Sequence, residues 1–270
     1  MLKSKSEDCS LRTELDHLTE YLETQSRDVH KLARKVSRRL DPKSIHQLRV
    51  AIRRTRTVFW ILQQSSDDIH CKKLGRQLRR LGRSLGNVRE LNVAISDAAR
   101  FGIDSSCLIG PCKIAKAKLR KLCNRNQRNK LMRRLSELEK SARALNPELL
   151  SKAHDRLQAK LNRQLKLRIR GQASLHQLRI IMKRARYSLE SMGSSIEPMK
   201  PLQDVIGGAH DLEILQELIG KHPEIKMEQY LLNKKAIGLI KPALNFAIAQ
   251  LAQKKPPNQL TKAKLHRRDE

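Results

Sequence analysis

One segment of the chain occurs twice, and this duplication limits what the chain can fold into. The first copy, SIHQLRVAIRRTRTVF, begins at Ser44, and the second, SLHQLRIIMKRARYSL, begins at Ser174. Apolar residues recur in both copies at the spacing of an α-helix rather than in alternation. The chain is therefore predicted to contain two related halves, each built around the same kind of helix.

On a helical wheel each copy separates into a basic face and an apolar face. Steps of about 100° per residue place the cationic or potentially cationic groups of one copy within an arc of about 80°. These rows are His46, Arg49, Arg53 and Arg56 in the first copy, and His176, Arg179, Lys183 and Arg186 in the second. The opposite faces carry Leu48, Ile52, Thr55 and Phe59, and Leu178, Met182, Ala185 and Leu189. Neighbouring like charges destabilise a helix, and no acid in this register offsets them, so the rows indicate a repeating anionic ligand.

The overall composition agrees with an anionic ligand and a helical fold. The chain has 57 Lys and Arg against 27 Asp and Glu, which gives a net charge of +30. Such a charge repels itself in the compact state, and nucleic acid, an acidic membrane surface or a polyphosphate chain would relieve it. Apolar residues make up 39% of the chain but aromatic residues only 3%. The core must then consist mostly of aliphatic side chains, as in helical bundles.

A weaker duplication follows each basic helix and brings further candidate cations. SLGNVRELNV at Ser84 resembles VIGGAHDLEI at Val205, with Glu90 matched by Asp211. The helical stretch that leads into SLGNVRELNV has a basic row, which consists of Lys73, Arg76, Arg80 and Arg83. Its apolar face consists of Leu74, Leu78, Leu81 and Leu85. The stretch that leads into VIGGAHDLEI lacks this basic row, and Lys200 is the main cation there. Arg54 and Arg184, which match between the duplicated helices, complete the candidate set, and weaker candidates are Arg27, Lys31, Arg34, Arg38, Lys118, Lys121, Arg125 and Arg128.

Helix-breaking residues divide the first half into four predicted helices. The first covers about residues 11–40 and ends at Asp41-Pro42. Ser44 is predicted to cap the second, which ends near residues 65–67. The third begins near Ile69, with a possible bend at Gly86-Asn87. Residues 101–111 are predicted to form a loop, and one long basic helix then runs to about residue 145.

The second half follows the same plan after a boundary at Asn146-Pro147. A helix over residues 148–170 is predicted to end at Gly171, and Ser174 is predicted to cap the next. Residues 193–198 form a turn, a helix continues through Gly207-Gly208 to about Ile219, and the last helix runs from Pro223 to near Gln253. Residues 254–270 are predicted to be a disordered basic tail.

These residues resemble the CHAD family, named for conserved histidines in an α-helical domain. The resemblance covers about residues 10–252 and is carried by the two H-Q-L-R helices and the [LI]-G-x-x-x-[ED]-[LI] element after each. It implies an all-α fold of two four-helix bundles, about residues 10–145 and 147–252, related by a pseudo-twofold axis around a central basic groove. It also implies binding of inorganic polyphosphate and association with polyphosphate granules. Departures from the pattern are the missing basic row in the second half and Glu90 where Asp is more usual.

Two other functional hypotheses remain open at this point: a nucleic-acid-binding protein, and an enzyme that acts on phosphoanhydrides. Few aromatic residues disfavour a single-strand stacking surface, and no P-loop, nucleophile elbow or H-E-x-x-H is present. The E-x-E-x-K signature of the triphosphatase domain often fused to CHAD domains is also missing, so we expect a stand-alone, non-catalytic module. Five cysteines without a C-x-x-C disfavour a metal site and indicate a reducing cytoplasm. We expect no cofactor and no membrane partner, since residues 236–252 are interrupted by Lys241 and Pro242.

Overall fold

The structure is a computed structural model that describes residues 2–63, 69–145, 148–169 and 174–253, with side chains described from residue 12 onward except near the gaps. Within these ranges the chain is helical and has no strand, which confirms the all-α class. The helices are α1 (Leu2–Arg38), α2 (Pro42–Leu62), α3 (Ile69–Arg100), α4 (Ser106–Leu122), α5 (Arg125–Arg143), α6 (Glu148–Ile169), α7 (Leu175–Ser191), α8 (Lys200–Ile219) and α9 (Pro223–Gln253). A short 3₁₀ helix, Glu197–Met199, precedes α8.

Two apolar cores hold the helices together, and both include the predicted apolar faces. The first core is built by α1–α5, and the second by α6–α9. The leucine, isoleucine and methionine side chains behind the two basic rows are fully buried, as are most of the leucines behind the row on α3. Helix α8 contributes to both cores, because Leu202 and Ile206 pack in the second while Leu212 and Leu215 pack in the first. The two halves therefore share a helix at their junction.

The duplicated helices begin differently in the two halves. In the second copy Ser174 caps α7 as predicted, because its side chain accepts a hydrogen bond from the Gln177 N–H at 3.2 Å. In the first copy the prediction of Ser44 as the cap is wrong. Asp41 is the cap, and its carboxylate accepts the Ser44 N–H at 2.8 Å. Pro42 suits the first helical position, because it has no N–H that would lack a partner there, so α2 starts a turn early and Ser44 is buried inside it.

The predicted long basic helix of the first half is two helices. Asn124 separates α4 from α5, since its side chain accepts the Gln127 N–H at 2.9 Å and caps α5. The predicted loop over residues 101–111 ends at residue 105, and Pro111 lies inside α4. Proline lacks an N–H and usually interrupts a helix interior, but here it falls near the start of α4. The described residues of the first half, 2–63 and 69–145, thus form five helices.

The remaining boundaries follow the predictions closely. Helix α3 runs unbroken through Gly86 and Asn87, and α8 runs through Gly207 and Gly208. Helix α9 reaches Gln253, where the described residues stop, so its predicted end near Gln253 stays a prediction. Helix α1 starts earlier than predicted, at Leu2. Helix α2 ends at Leu62, and its predicted end near residues 65–67 lies outside the described residues. The same holds for residues 146–147, the predicted cap at Gly171, and residues 254–270.

Glycines on α3 bring its backbone close to α2, beside the basic side chains. A Cβ atom on Gly75 would lie 2.7 Å from Phe59 Cε1, a distance that real Cβ atoms essentially never show. A Cβ on Gly82 would lie 3.5 Å from Arg56 Nη1. Phe59 is 5% exposed, so its ring is confined by the core. The small residues of α3 therefore set how closely α3 and the basic helix α2 approach.

We expect Gly75→Ala to lower the free energy of unfolding by about 1–2 kcal/mol, because overpacking against Phe59 outweighs the gain in helix propensity. The matched control is Gly238→Ala in α9, where no described atom lies within 4 Å of the added Cβ. That control should raise the free energy of unfolding by up to about 1 kcal/mol. Urea denaturation followed by circular dichroism measures both. Equal effects of the two substitutions would contradict a steric role for Gly75.

Candidate functional site

A cleft of about 420 Å³ opens between α2, α3 and α7, and its walls are basic. We call it the central cleft. Its charged lining residues are Arg53 and Arg56 from α2, Arg79 from α3, and Arg179, Lys183 and Arg184 from α7. Phe59, Trp60 and Tyr187 form its apolar wall, and no described Asp or Glu lines it. The two duplicated helices, α2 and α7, pack against each other. Arg53 and Arg56 of one basic row and Arg179 and Lys183 of the other therefore line the same cleft, whereas the other members of the two rows do not line it.

The cations of the central cleft are close enough to repel one another. Burial, followed by the charges of Arg53 and Arg179, lowers the pKa of Lys183 to about 6. Burial and repulsion from Arg53 lower the pKa of Arg49, at the end of the cleft, to about 10. Burial and the charge of Arg79 likewise lower the pKa of Arg56. The free cleft is therefore short of negative charge.

Two carboxylates stand at the end of the cleft, one from each weaker repeat. Arg49 Nη2 lies 3.4 Å from Glu90 Oε1 in α3. In the second half, the charge of Asp211 acts on Arg179 and partly opposes the lowering of its pKa by burial. Glu90 thus forms an ion pair with an arginine of the first basic row. Arg179 is less well satisfied, because its buried Nε has no hydrogen-bond partner among the described residues.

The two candidate histidines have corresponding neighbours. Arg89, which acts on His46, directly precedes Glu90, and His210, which lies against His176, directly precedes Asp211. Burial and the charge of Arg89 lower the pKa of His46. The ring of His176 lies 5.6 Å from that of His210, centroid to centroid. His210 Nδ1 in turn lies 3.0 Å from Glu213 Oε2. Sequence reasoning did not select Arg89 and His210, although a signal was available: they occupy matched positions in the two weaker repeats.

Arg54 and Arg186 are held by a carboxylate behind the cleft. Arg54 Nε lies 3.1 Å from one oxygen of Glu190, and Arg186 Nε lies 3.1 Å from the other. The Tyr21 hydroxyl also donates to Glu190 at 3.1 Å, and burial raises the pKa of that tyrosine. The expectation that no acid offsets the basic rows is therefore wrong for Arg186, which has Glu190 four residues later. Ligand contact by these two arginines stays a prediction.

Trp60 connects the cleft to α6 through two cation–π contacts. The guanidinium of Arg184 lies 5.0 Å from the centre of the ring, and Lys160 Nζ lies 5.6 Å from it. Burial lowers the pKa of both cations. Sequence reasoning did not select Lys160, because α6 is not part of either repeat.

The predicted basic row of α3 does not line the central cleft but lies on a neighbouring face of α3. Lys73, Arg76 and Arg80 face α5, and Arg80 and Arg83 face α4 together with Lys118 and Lys121. Arg79, which sequence reasoning did not select, takes the place of this row in the cleft. It follows Gly75 by four residues and therefore lies on the α2-facing side, which is the signal that could have identified it.

The other candidate cations are dispersed. Lys31, Arg34 and Arg38 line a separate depression along α1. Arg128 is occupied within the fold, where Nη1 donates to the Cys123 carbonyl at 2.7 Å and to Ser37 Oγ at 3.0 Å. Arg27 Nη2 donates to Thr24 Oγ1 at 3.2 Å. Arg125 and Lys200 are exposed at the starts of α5 and α8.

A family model described as the CHAD domain matches residues 20–220, well over half of the 270-residue chain. The chain belongs to the CHAD domain family. The fold agrees with the crystal structure of the CHAD domain from the plant Ricinus communis. That comparison has a TM-score of 0.62 and 19% sequence identity, and covers 88% of this chain and 91% of the other. PptA from Streptomyces chartreusis is less similar, with a TM-score of 0.46 and 14% identity over 88% of this chain and 99% of the other. No curated protein sequence matches the chain significantly.

Two further classes of feature do not occur in the described part of this CHAD domain. None of its helices combines the length and hydropathy needed to cross a membrane. No three or more His, Cys, Asp or Glu side chains there are grouped so that they could hold a metal ion.

We expect Lys183→Met to stabilise the free CHAD domain more at pH 7 than at pH 9.5. The folded-state pKa of Lys183, about 6, lies below its ordinary value of 10.5. Between these values the unfolded chain binds one more proton than the folded chain, so this group makes stability rise with pH across that window. Methionine removes the dependence. Thermal unfolding of both proteins across pH 6–10 measures it, and a stability difference that does not change with pH would contradict the assignment.

Proposed function

We propose that this CHAD domain binds inorganic polyphosphate in the central cleft and does not itself cleave it. The observation that carries the proposal is the convergence of five arginines and Lys183, from three helices, on a cleft whose described lining holds no acid. A chain with about one negative charge per phosphate would supply the missing charge along the whole cleft. The resemblance of the duplicated H-Q-L-R helices to the CHAD family implies the same ligand.

The side chains of the cleft suit a phosphate chain because five of the six cations are arginines. A planar guanidinium can donate two parallel hydrogen bonds to phosphate oxygens, while a lysine acts as a point charge. The buried Arg179 Nε, which has no hydrogen-bond partner among the described residues, is a donor that a phosphate oxygen could satisfy. His46 and His176 are not among the residues that line the cleft, and their contact with phosphate stays a prediction.

Binding without cleavage is supported by the composition of the cleft walls. Phosphoryl-transfer sites usually hold Mg²⁺ through one or two carboxylates. Glu90 instead pairs with Arg49, and the charge of Asp211 acts on Arg179. Cys107, Cys112 and Cys123 are free thiols, as expected of a protein in a reducing compartment.

The sharpest test of the cleft is the triple variant R53Q/R56Q/R179Q. Each charge-assisted contact contributes about 1.5 kcal/mol or more, so we expect polyphosphate affinity to fall at least about 100-fold. The slope of log K against log salt should also become shallower, by roughly 0.7 per lost contact. Fluorescence anisotropy with labelled long-chain polyphosphate measures both.

The matched control is K226Q/K234Q/K241Q on α9, which removes the same charge from exposed positions. It should bind within a few-fold of the unmodified chain. Equal losses in the two variants would mean that diffuse charge holds the ligand. Competition at matched phosphate concentration tests the nucleic-acid alternative, which wins if RNA or duplex DNA displaces polyphosphate. Metal-dependent release of phosphate that His46→Ala abolishes would instead establish an enzyme.

We expect polyphosphate affinity to fall as pH rises above 6. The pKa of Lys183 is about 6 in the free protein, and a bound anion must raise it, so binding above pH 6 takes up a proton. Lys183→Arg keeps the charge at every pH and should flatten the dependence between pH 7 and 9. Calorimetry in buffers of different ionisation enthalpy measures the uptake directly. Equal proton uptake by the Lys183→Arg variant would contradict the assignment.

A further inference from the structure

A second basic groove runs along a neighbouring face of α3. It consists of a depression of about 290 Å³ between α3 and α5 and one of about 590 Å³ between α3 and α4. Arg80 and Leu122 line both, so the two depressions adjoin, and we call them together the outer trough. Its cations are Lys73, Arg76, Arg80, Arg83, Lys118, Lys121 and Arg134.

The floor of the outer trough is built by contacts between α3 and α5. Gln77 Nε2 donates to the Gln127 carbonyl at 3.1 Å. Arg134 Nη1 donates to Gln77 Oε1 at 2.5 Å, so that guanidinium is fixed at the edge of the trough. Leu81 and Leu131 are buried beneath it. The trough therefore has a fixed position on packed helices.

The positive charge of the trough is uncompensated. No Asp or Glu is among its lining residues, and none of its seven cations forms an ion pair with a described residue. Arginines elsewhere on the surface do find acids, as Arg143 does with Glu23 and Arg100 with Glu228. Seven cations around one groove repel one another, and a polyanion would relieve that repulsion.

Helix α3 separates the trough from the central cleft. Arg79 lines the cleft, while Arg80, the next residue, lines the trough. Successive residues of a helix point about 100° apart, so one helix supplies cations to two distinct surfaces. The trough extends along α3 from Lys73 to Asn87, which at 1.5 Å per residue is roughly 21 Å. That length accommodates a stretch of a linear ligand rather than a single phosphate group.

We propose that the outer trough is a second binding site for a phosphate polymer, and that one molecule thereby bridges two polyphosphate chains. The proposal rests on the function proposed for the central cleft. No aromatic residue lines the trough, so it has no platform on which the bases of a single-stranded nucleic acid could stack. Because the trough cations are exposed, binding there is weaker and more sensitive to salt than binding in the cleft. Two sites on neighbouring faces of one helix make the protein a cross-linker of polyphosphate.

A sandwich assay tests bridging separately from binding. The full-length protein is bound to immobilised long-chain polyphosphate, and a second, fluorescent polyphosphate chain is then added. The unmodified protein and the α9 control K226Q/K234Q/K241Q should capture the second chain. K73Q/R76Q/K121Q, which changes three exposed trough cations, should bind the immobilised chain through the cleft but lose at least about 90% of the capture, as expected when one arm of a bivalent binder is lost. R53Q/R56Q/R179Q should bind weakly through the trough and also lose capture.

Each outcome decides between the two proposals. Binding without capture by the unmodified monomer, checked by size-exclusion chromatography, overturns bridging and leaves the cleft intact as a binding site. Undiminished capture by K73Q/R76Q/K121Q overturns the assignment to the trough. If only that variant loses binding to the immobilised chain, the trough is the main site and the function proposed for the cleft fails. Preferential capture of labelled RNA over polyphosphate overturns the ligand class.

Discussion

Repulsion among the cations of α2, α3 and α7 is the constraint on which the rest of the structure depends. Burial, followed by the charges of Arg53 and Arg179, lowers the pKa of Lys183 to about 6. The opposing force comes from the apolar faces behind these residues, where Leu48, Ile52 and their counterparts in α7 are fully buried. Each such side chain contributes about 1.5–3 kcal/mol on burial. Burial of these apolar side chains thus holds the helices of the cleft together against the repulsion between their cations.

The few acids near the cleft are placed where they orient arginines without neutralising the cleft. Glu90 stands at one end and pairs with Arg49, and Glu190 stands behind the two helices and joins Arg54 to Arg186. These half-buried pairs fix long side chains that would otherwise lose rotamer freedom on binding a ligand. A carboxylate inside the cleft would bind the same arginines more simply, but it would compete with phosphate for them. The distribution of acids therefore favours preorganised arginines that are still available to an anion.

The helical wheel predicted which residues of each helix are buried, but not which neighbour faces each basic row. Both duplicated apolar faces and the Ser174 cap follow from residue type and spacing alone. The four predicted cations of α3 do lie along one face of the helix, but that face is turned toward α4 and α5. Arg79 lines the cleft instead. Angles within one helix carry no information about the helices packed around it. The roles of Asp41, Asn124 and Glu190 depend on single contacts that compete with equally plausible local alternatives.

The duplication preserves the framework of the two halves more closely than their charges. The residue next to His46 is Arg89, and the matching residue next to His176 is His210. An arginine in one half thus corresponds to a histidine in the other. The basic row of α3 has no counterpart either, because the matching positions hold Ser194, Glu197, Pro201 and Asp204. A duplicated helix pair can form a shared cleft only if both copies keep their basic rows, whereas a groove on the outside of one copy is free to diverge. An outer trough on the first half alone is thus what a duplicated fold permits, and it gives the domain two unequal basic surfaces.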